Sequence, residues 1–510
     1  MEGTTFHDDS ERGLLPDVNE DSPLLIRHMS MEKNPSSGRT PRHRRDGGNE
    51  RTRFQRVVHG TRTAVATAAA LPIISCGGGG GGGGGVRLHH RHRGILLLTW
   101  LTSLVLLGLL CAALVSMGDT STGTDSTAPD HHGKIIPIED AREHYLEVDP
   151  GIFLWYRTWG NRMAKPVVFV HGGPGNAIQD YGLENAEFFS AHEYFVVEVD
   201  QRGTGKSQPS VRESAINMKF YTNVSIDQLA ADYERVRHRL NIDRWLVFGG
   251  SFGSTVGINY ATRYPRACLG LIVRGIYLDT PAEMQAVYAR SSHVHNPQRL
   301  HEFDILYHYV QQQQQRQTTR EPGDAYIDPN DAQALTAAYA KLIEAGDRQA
   351  IWHWHVYENN LMETDPANLL DPDQIDEAVF PEAQSVAFFE TRLWLRGAYE
   401  NPAQLLNRIN QLAVIPHISI CQGRHDEVCP AKYTRLLTSA LDDANAYFTV
   451  SYLNSGHEQS DPVMAACLKE RLTVFGQEYD QRKQQEEEEQ QQQQNEGEQT
   501  SANKTALPKQ

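Results

Sequence analysis

Three residues far apart in the chain carry together a chemistry that none carries alone. Ser251 stands in Gly249-Gly250-Ser251-Phe252-Gly253, a Gly-x-Ser-x-Gly pattern that follows the short apolar run Trp245 to Phe248. The pattern suits a strained strand-to-helix turn that lifts the hydroxyl clear of a parallel sheet, and it makes Ser251 a candidate nucleophile. The alternative is a glycine-rich turn that happens to contain serine. A serine hydroxyl attacks poorly until a base takes its proton and a third group orients that base. Asp426, in the loop after Ile418 to Gln422, and His457, in the loop after Tyr447 to Leu453, follow in the order serine, acid, histidine. Asp426 would hold the imidazole in its productive tautomer, and His457 would deprotonate Ser251 and then protonate the leaving group.

A developing oxyanion needs donors already in place. His171-Gly172-Gly173-Pro174-Gly175 follows the strand Val167 to Val170, and the amides of Gly173 and Phe252 are the candidate pair. His171 reads as structural, since the constellation already has a histidine. Asp200-Gln201-Arg202-Gly203-Thr204-Gly205-Lys206-Ser207 imitates a phosphate loop but has Asp200 where its first glycine belongs. The His-rich stretches at 89–92 and 353–355 lack further ligands, and no cysteine spacing suggests zinc, so neither metal nor cofactor is expected.

The elements that must position these residues alternate strand and helix. Tyr145 to Trp159 reads as a hairpin turning at Asp149-Pro150-Gly151. Short buried strands are expected at Val167 to Val170, Phe195 to Val199, Trp245 to Phe248, Leu271 to Arg274, Ile418 to Gln422 and Tyr447 to Leu453. Helical patterns lie between several of them, among them Ile226 to Leu240 and Ser254 to Tyr264. That rhythm argues for an α/β domain with a largely parallel sheet covered on both faces. From about Pro281 to Gln411 no strand is evident, only helical stretches rich in tryptophan, tyrosine and phenylalanine. Such an insertion would sit over the carboxyl ends of the strands as a helical cap.

The ends of the chain differ in kind. Its 510 residues carry a formal net charge of -16, which argues against nucleic-acid binding, although arginines crowd the amino-terminal region. Residues 1–93, with a glycine run from Gly77 to Gly85, are expected as a disordered cytosolic tail. Gly94 to Met117 is uncharged and long enough to cross a bilayer, with Arg87, Arg91 and Arg93 before it, which predicts a single-pass type II protein. Residues 118–134 are then a linker, 135–280 and 412–480 the two parts of the core, 281–411 the cap, and 481–510 a Gln/Glu-rich disordered tail whose run at 484–494 fits a solvated helix as well. On the predicted lumenal or extracellular side lie Cys268, Cys421, Cys429 and Cys467, enough for two disulfides, and the sequons Asn223-Val224-Ser225 and Asn503-Lys504-Thr505. Glu20-Asp21-Ser22-Pro23-Leu24-Leu25 resembles an acidic dileucine sorting signal, which points to endosomes or lysosomes.

Four segments together resemble the prolyl aminopeptidase (proline iminopeptidase) family of serine peptidases. They are His-Gly-Gly-Pro-Gly at 171–175, Asp-Gln-Arg-Gly-Thr-Gly-Lys-Ser at 200–207, Gly-Gly-Ser-Phe-Gly-Ser at 249–254 and Leu-Ile-Val-Arg-Gly-Ile-Tyr at 271–277. The resemblance spans roughly Ile135 to Glu478 and implies an α/β-hydrolase fold with a cap and release of N-terminal proline from peptides. An exopeptidase must also recognise a cationic amino end, for which carboxylates are the natural partners. Trp354-His355-Val356-Tyr357-Glu358 and Ala387-Phe388-Phe389-Glu390 resemble the family's acidic cap segments, implying that Glu358 and Glu390 grip the imino group. Three departures, Tyr357, Asn176 and Gln208-Pro209-Ser210, are expected to touch the substrate pocket. An esterase or amidase for another small acyl group and a non-catalytic hydrolase-like module are the alternatives.

Overall fold

The chain joins its sheet through an antiparallel edge made of β1 (Ile135–Ile136), β2 (Arg142–Asp149) and β3 (Ile152–Asn161). The β2–β3 turn is tied by the Gly151 amide, which donates to Glu147 Oε1 at 3.0 Å. Six strands then run parallel: β4 (Lys165–Val170), β5 (Tyr194–Val199), β6 (Trp245–Gly250), β7 (Cys268–Arg274), β8 (Ile418–Gly423) and β9 (Thr449–Leu453). Their order is β1-β3-β5-β4-β6-β7-β8-β9, with β2 beside β3. The computed structural model describes residues 134–317, 326–363 and 366–505, all within the unit Pro129–Gln510. The expected tail at 1–93, apolar span at 94–117, dileucine-like segment and the linker as far as residue 133 lie outside the described residues. Among the described residues no helix is long and apolar enough to cross a membrane.

Burial explains why the central strands carry no polar alternation. Every residue of β5, β6, β7 and β8 is buried, so each face of the sheet needs apolar cover. Val168, Val170, Val197, Val247, Leu271 and Val273 point into one core, shared with α1 (Ile226–Arg239) and α2 (Phe252–Arg263). Val167, Phe169, Val196, Leu246, Phe248 and Ile272 point into the other, closed by Met464, Leu468, Leu472 and Phe475 of the last helix.

Between β7 and β8 the chain leaves the sheet for a helical insertion. It contains α3 (Pro281–Tyr288), α4 (Pro297–Gln317), α5 (Ala332–Glu344), α6 (Arg348–Met362) and α7 (Phe380–Trp394), then a π-helical turn at Leu395–Tyr399 and a 3-10 segment at Leu406–Val414. Its aromatic residues continue the core on one face of the sheet: Trp354 stacks on Tyr288 at 4.9 Å between centroids and packs against Tyr339 and Trp394. The insertion meets the sheet domain through Ser385 Oγ, which donates to the Gly175 carbonyl at 2.7 Å. After β8 come α8 (Ala431–Asp443), β9 and α9 (Pro462–Thr505).

The carboxyl end, expected as a Gln/Glu-rich tail that is either disordered or a solvated helix, is helical: α9 continues to Thr505. Gln and Glu are good helix formers, and i,i+4 pairs such as Gln484 Nε2 to Glu488 Oε1 at 3.1 Å support the exposed turns. Of the four cysteines described, Cys421 in β8 is bonded to Cys467 in α9, while Cys268 and Cys429 are free and buried.

The disulfide closes a segment 46 residues long in which both Asp426 and His457 lie. A loop of that length should stabilise by roughly 4 kcal/mol through the unfolded chain. Replacing both Cys421 and Cys467 by alanine is expected to lower the unfolding free energy by about 2–4 kcal/mol, read from urea denaturation of the protein with and without reductant; reductant should have no effect on the double variant.

Candidate active site

Ser251 occupies the turn between β6 and α2 with φ 56° and ψ -133°, a conformation that costs a non-glycine residue energy. The turn exists because of the two glycines around it. A side chain on Gly249 would meet the Gly253 carbonyl oxygen at 2.7 Å, and one on Gly253 would overlap the Val170 carbonyl of β4. The serine amide donates to the Arg274 carbonyl at 3.1 Å, which fixes the turn to the end of β7. Asp426 and His457 follow β8 and β9 at the same end of the sheet. His457 Nδ1 lies 3.0 and 2.9 Å from the two carboxylate oxygens of Asp426. An ionised carboxylate only accepts, so Nδ1 carries the proton and Nε2 is left as the basic nitrogen.

Asp426 is itself held. Its Oδ1 accepts from the amides of Val428 and Cys429 at 3.1 and 2.7 Å. Burial alone would raise the carboxyl, but the His457 imidazole, the Cys429 amide and the Arg274 guanidinium together hold it below the usual carboxylate range. Arg274 also donates from Nη1 to the His457 carbonyl at 2.8 Å. One residue therefore ties the nucleophile's backbone and the base's backbone to a single strand end. Among the described residues no hydrogen bond joins the Ser251 hydroxyl to His457 Nε2, and Ser251 and Cys429 line the same pocket. Burial keeps the Cys429 thiol well above its ordinary pKa and thus neutral.

Gly173 and Phe252 both line the pocket next to Ser251, so their amides belong to the same end of the site as the nucleophile. His171 is fully buried and structural. Its Nδ1 donates to the Gly172 carbonyl at 3.0 Å, and its Nε2 accepts from the Gln201 amide at 3.0 Å. Burial pushes the imidazole down to about 4, so it stays neutral. The segment 200–207 is a staple and not a phosphate cradle. Asp200 accepts from the amides of Ile178 and Lys206, each at 2.7 Å, and Arg202 forks onto Asp232 at 2.6 Å through both Nε and Nη2.

The floor of the pocket comes from the cap. Glu358 of α6 and Glu390 of α7 line it together with Tyr288 and Trp394. Glu358 accepts a short hydrogen bond from the Tyr288 hydroxyl, and Glu390 accepts from Trp354 Nε1 at 2.7 Å. Neither has a cationic partner among the described residues. Burial pushes Glu358 up to about 7, against the lowering effect of Tyr288. Burial and the neighbouring Glu358 push Glu390 well above the carboxylate range. The space among the lining residues is about 620 Å³, counting the part open to solvent.

Two features were not legible in the residues: Tyr288, whose bond to Glu358 joins helices α3 and α6, and the double tie made by Arg274, which appeared only as part of a motif. One expectation is corrected. Tyr357, Asn176 and Gln208-Pro209-Ser210 are not among the residues that line the pocket. Tyr357 stands behind the lining, donating to the Val287 carbonyl and packing on Tyr288, and Gln208 pairs with Phe153 at the hairpin.

Comparison with known proteins bears on this geometry. Residues 165–292 match the family model described as alpha/beta hydrolase fold. The chain is 33% identical over 298 residues to a probable proline iminopeptidase of Leptolyngbya boryana, covering 57% of this chain and 81% of that protein. It is 30% identical over 329 residues to the proline iminopeptidase of Neisseria meningitidis, covering 64% and 93%. A solved esterase from Exiguobacterium antarcticum is similar at TM-score 0.42 and 15% identity, over 66% of this chain and all of that one.

The two buried glutamates should cost stability. Their folded pKa values lie above the unfolded ones, so the cost is absent at low pH and grows as pH rises through the ordinary carboxylate range toward about 7. Glu390→Gln keeps an acceptor for Trp354 and removes the ionisation. Its Tm is expected to exceed that of the parent by about 2 °C or more at pH 8 and to match it at pH 4, measured by calorimetry.

Proposed function

The chain belongs to the proline iminopeptidase family of α/β hydrolases, and we propose that it is a serine exopeptidase releasing N-terminal proline from peptides through an acyl-enzyme at Ser251. The observation that carries the reading is the pair Glu358, half-buried, and Glu390, buried, which line one pocket with Ser251 and have no cationic partner among the described residues. Two uncompensated carboxylates so placed are costly. A prolyl imino cation supplies the missing charge, and the aromatic rings of Tyr288 and Trp394 suit its pyrrolidine. With the cation there, the scissile carbonyl falls toward Ser251.

The steps then follow from the groups in place. His457 Nε2 takes the Ser251 proton as the oxygen attacks, and the imidazolium that forms is stabilised by Asp426. The amides of Gly173 and Phe252 receive the oxyanion. His457 returns the proton to the leaving amine, and the same base activates water to hydrolyse the prolyl ester. A neutral acyl group would leave both glutamates unmatched, which favours the peptidase over the esterase or amidase alternative. A non-catalytic module would have no use for an ionised Asp426 oriented on His457.

The same proposal extends to location: a single-pass type II membrane protein with the catalytic domain lumenal or extracellular, in endosomes or lysosomes. The apolar stretch 94–117 with its basic amino-terminal flank and the dileucine-like segment support it. So does the Cys421–Cys467 disulfide, a bond suited to an oxidising compartment.

Three measurements test this reading. On a panel of aminoacyl amides the prolyl amide should be cleaved at least tenfold better than any other, and Ser251→Ala should abolish cleavage; a different preference or an active variant refutes it. Because the glutamates must be ionised to bind a cation, kcat/KM for prolyl amide should fall as pH drops below about 7. A neutral acyl ester, which does not need them, should lack that component, as should Glu358→Gln acting on the ester. Finally, Asn223 is exposed, so peptide N-glycosidase should increase the mobility of the protein from cells, and Asn223→Gln should remove part of that shift.

A further inference from the structure

The pocket has a buried end and an exposed end, and their charges differ. Glu358 and Glu390 lie at the buried end. At the rim, Arg299 of α4 meets Glu427, the residue after Asp426, with side chains 19% and 59% exposed. Arg299 is the one Lys or Arg among the lining residues. If proline nitrogen sits on the glutamates and its carbonyl at Ser251, the rest of the peptide must run toward that rim.

Arg299 is already held for a ligand. Its Nη2 donates to the Leu361 carbonyl at 3.0 Å and pairs with Glu427. Among the described residues its Nε and Nη1 have no partner. The guanidinium is thus fixed through Nη2, while Nε and Nη1, which face different edges of its plane, stay open. Fixing the side chain beforehand removes much of the entropy that binding would otherwise lose. A simple cap-to-core latch explains less, since an ion pair with so exposed a carboxylate contributes little.

We propose that Arg299 binds the free C-terminal carboxylate of short peptide substrates, making the enzyme selective for di- and tripeptides that begin with proline. Nη1 still presents its N–H groups, so a carboxylate can accept a charge-assisted hydrogen bond there beside the guanidinium charge. An amidated end or a longer chain offers no charge there. Glu427 both steadies the guanidinium and repels the incoming carboxylate, which limits how tightly the substrate, and the released amino acid, are held. This inference rests on the aminopeptidase reading above.

The test is the ratio of kcat/KM for Pro-Gly and Pro-Gly-Gly to that for their C-terminal amides, measured at low salt in the full-length protein. In the parent the free acid is expected to be preferred at least fivefold for one of the two lengths. Arg299→Gln should reduce that ratio tenfold or more, chiefly through KM; acid and amide falling in parallel would mean a structural latch and overturn the proposal. Glu427→Gln, which can still accept from Nη2, should raise the ratio, and a ratio that stays level or falls counts against it. Should the parent cleave neither acid nor amide, the exopeptidase reading itself fails, whereas cleavage of both without preference defeats only the inference about Arg299.

Discussion

The close approach of the β6–α2 turn to β4 is the constraint on which the site rests. With no side chain at Gly249 or Gly253, the turn lies against the Val170 carbonyl and Ser251 is forced into positive φ. A larger residue at either position would push α2 away from the sheet. The fully buried β6 and the apolar face of α2 resist that displacement, because both belong to one core. Strain at the nucleophile is therefore maintained by packing on both sides of it. The Arg274 tie then carries the position of that turn to His457, so the same packing orients the base.

Where the core holds the reacting groups, the cap holds an electrostatic deficit. Glu358 and Glu390 lie among aromatic residues of the cap, and each is matched only by a neutral donor, Tyr288 or Trp354. A fold selected only for stability would place glutamine or an apolar residue there. On the proposed reading the deficit would complement a cation, and binding one would relieve a cost already present in the empty protein. Affinity for an amino end would then come largely from the unbound state, and an acyl group of the same shape but without charge would be a poor substitute.

The sequence and the structure agree where local pattern determines local form. Ser251, Asp426 and His457 could be found because each follows a short apolar run, and strand ends in a parallel sheet gather at one place. Side-chain pairing across the fold was less legible. Tyr288 and Glu358 come from helices separated by α4 and α5, and nothing in either segment marks the other. Four cysteines allow three complete pairings, so the Cys421–Cys467 bond could not be chosen from spacing. The Gln/Glu run could not be decided from sequence because composition alone fits both a solvated helix and a coil. Its attachment to the buried turns of α9 at Leu472 and Phe475 decides the matter, since a helix already nucleated extends at little cost. The departures at 176, 208–210 and 357 were assigned to the pocket by proximity in sequence to motif residues, which side-chain direction does not respect.

Core and cap must also be held at one angle, or nucleophile and cation site would drift apart. The connection after β7 shows how. Glu283, at the start of α3, accepts from the amides of Leu278 and Thr280 at 2.8 and 2.9 Å and from the Thr280 hydroxyl at 2.8 Å. Its carboxylate thus fastens the first turn of the cap to the strand end that also bears Arg274. Glu283 itself lines the pocket, so the fastening lies within the site and not at a remote hinge. With Ser385 of α7 bonded to Gly175 on the far side, the cap is fixed at two separated points beside the oxyanion loop and the nucleophile strand. A cap so held positions Glu358 and Glu390 before substrate arrives. Discrimination between a prolyl cation and a neutral acyl group then comes from a preformed cavity, with no need for the cap to close upon the ligand.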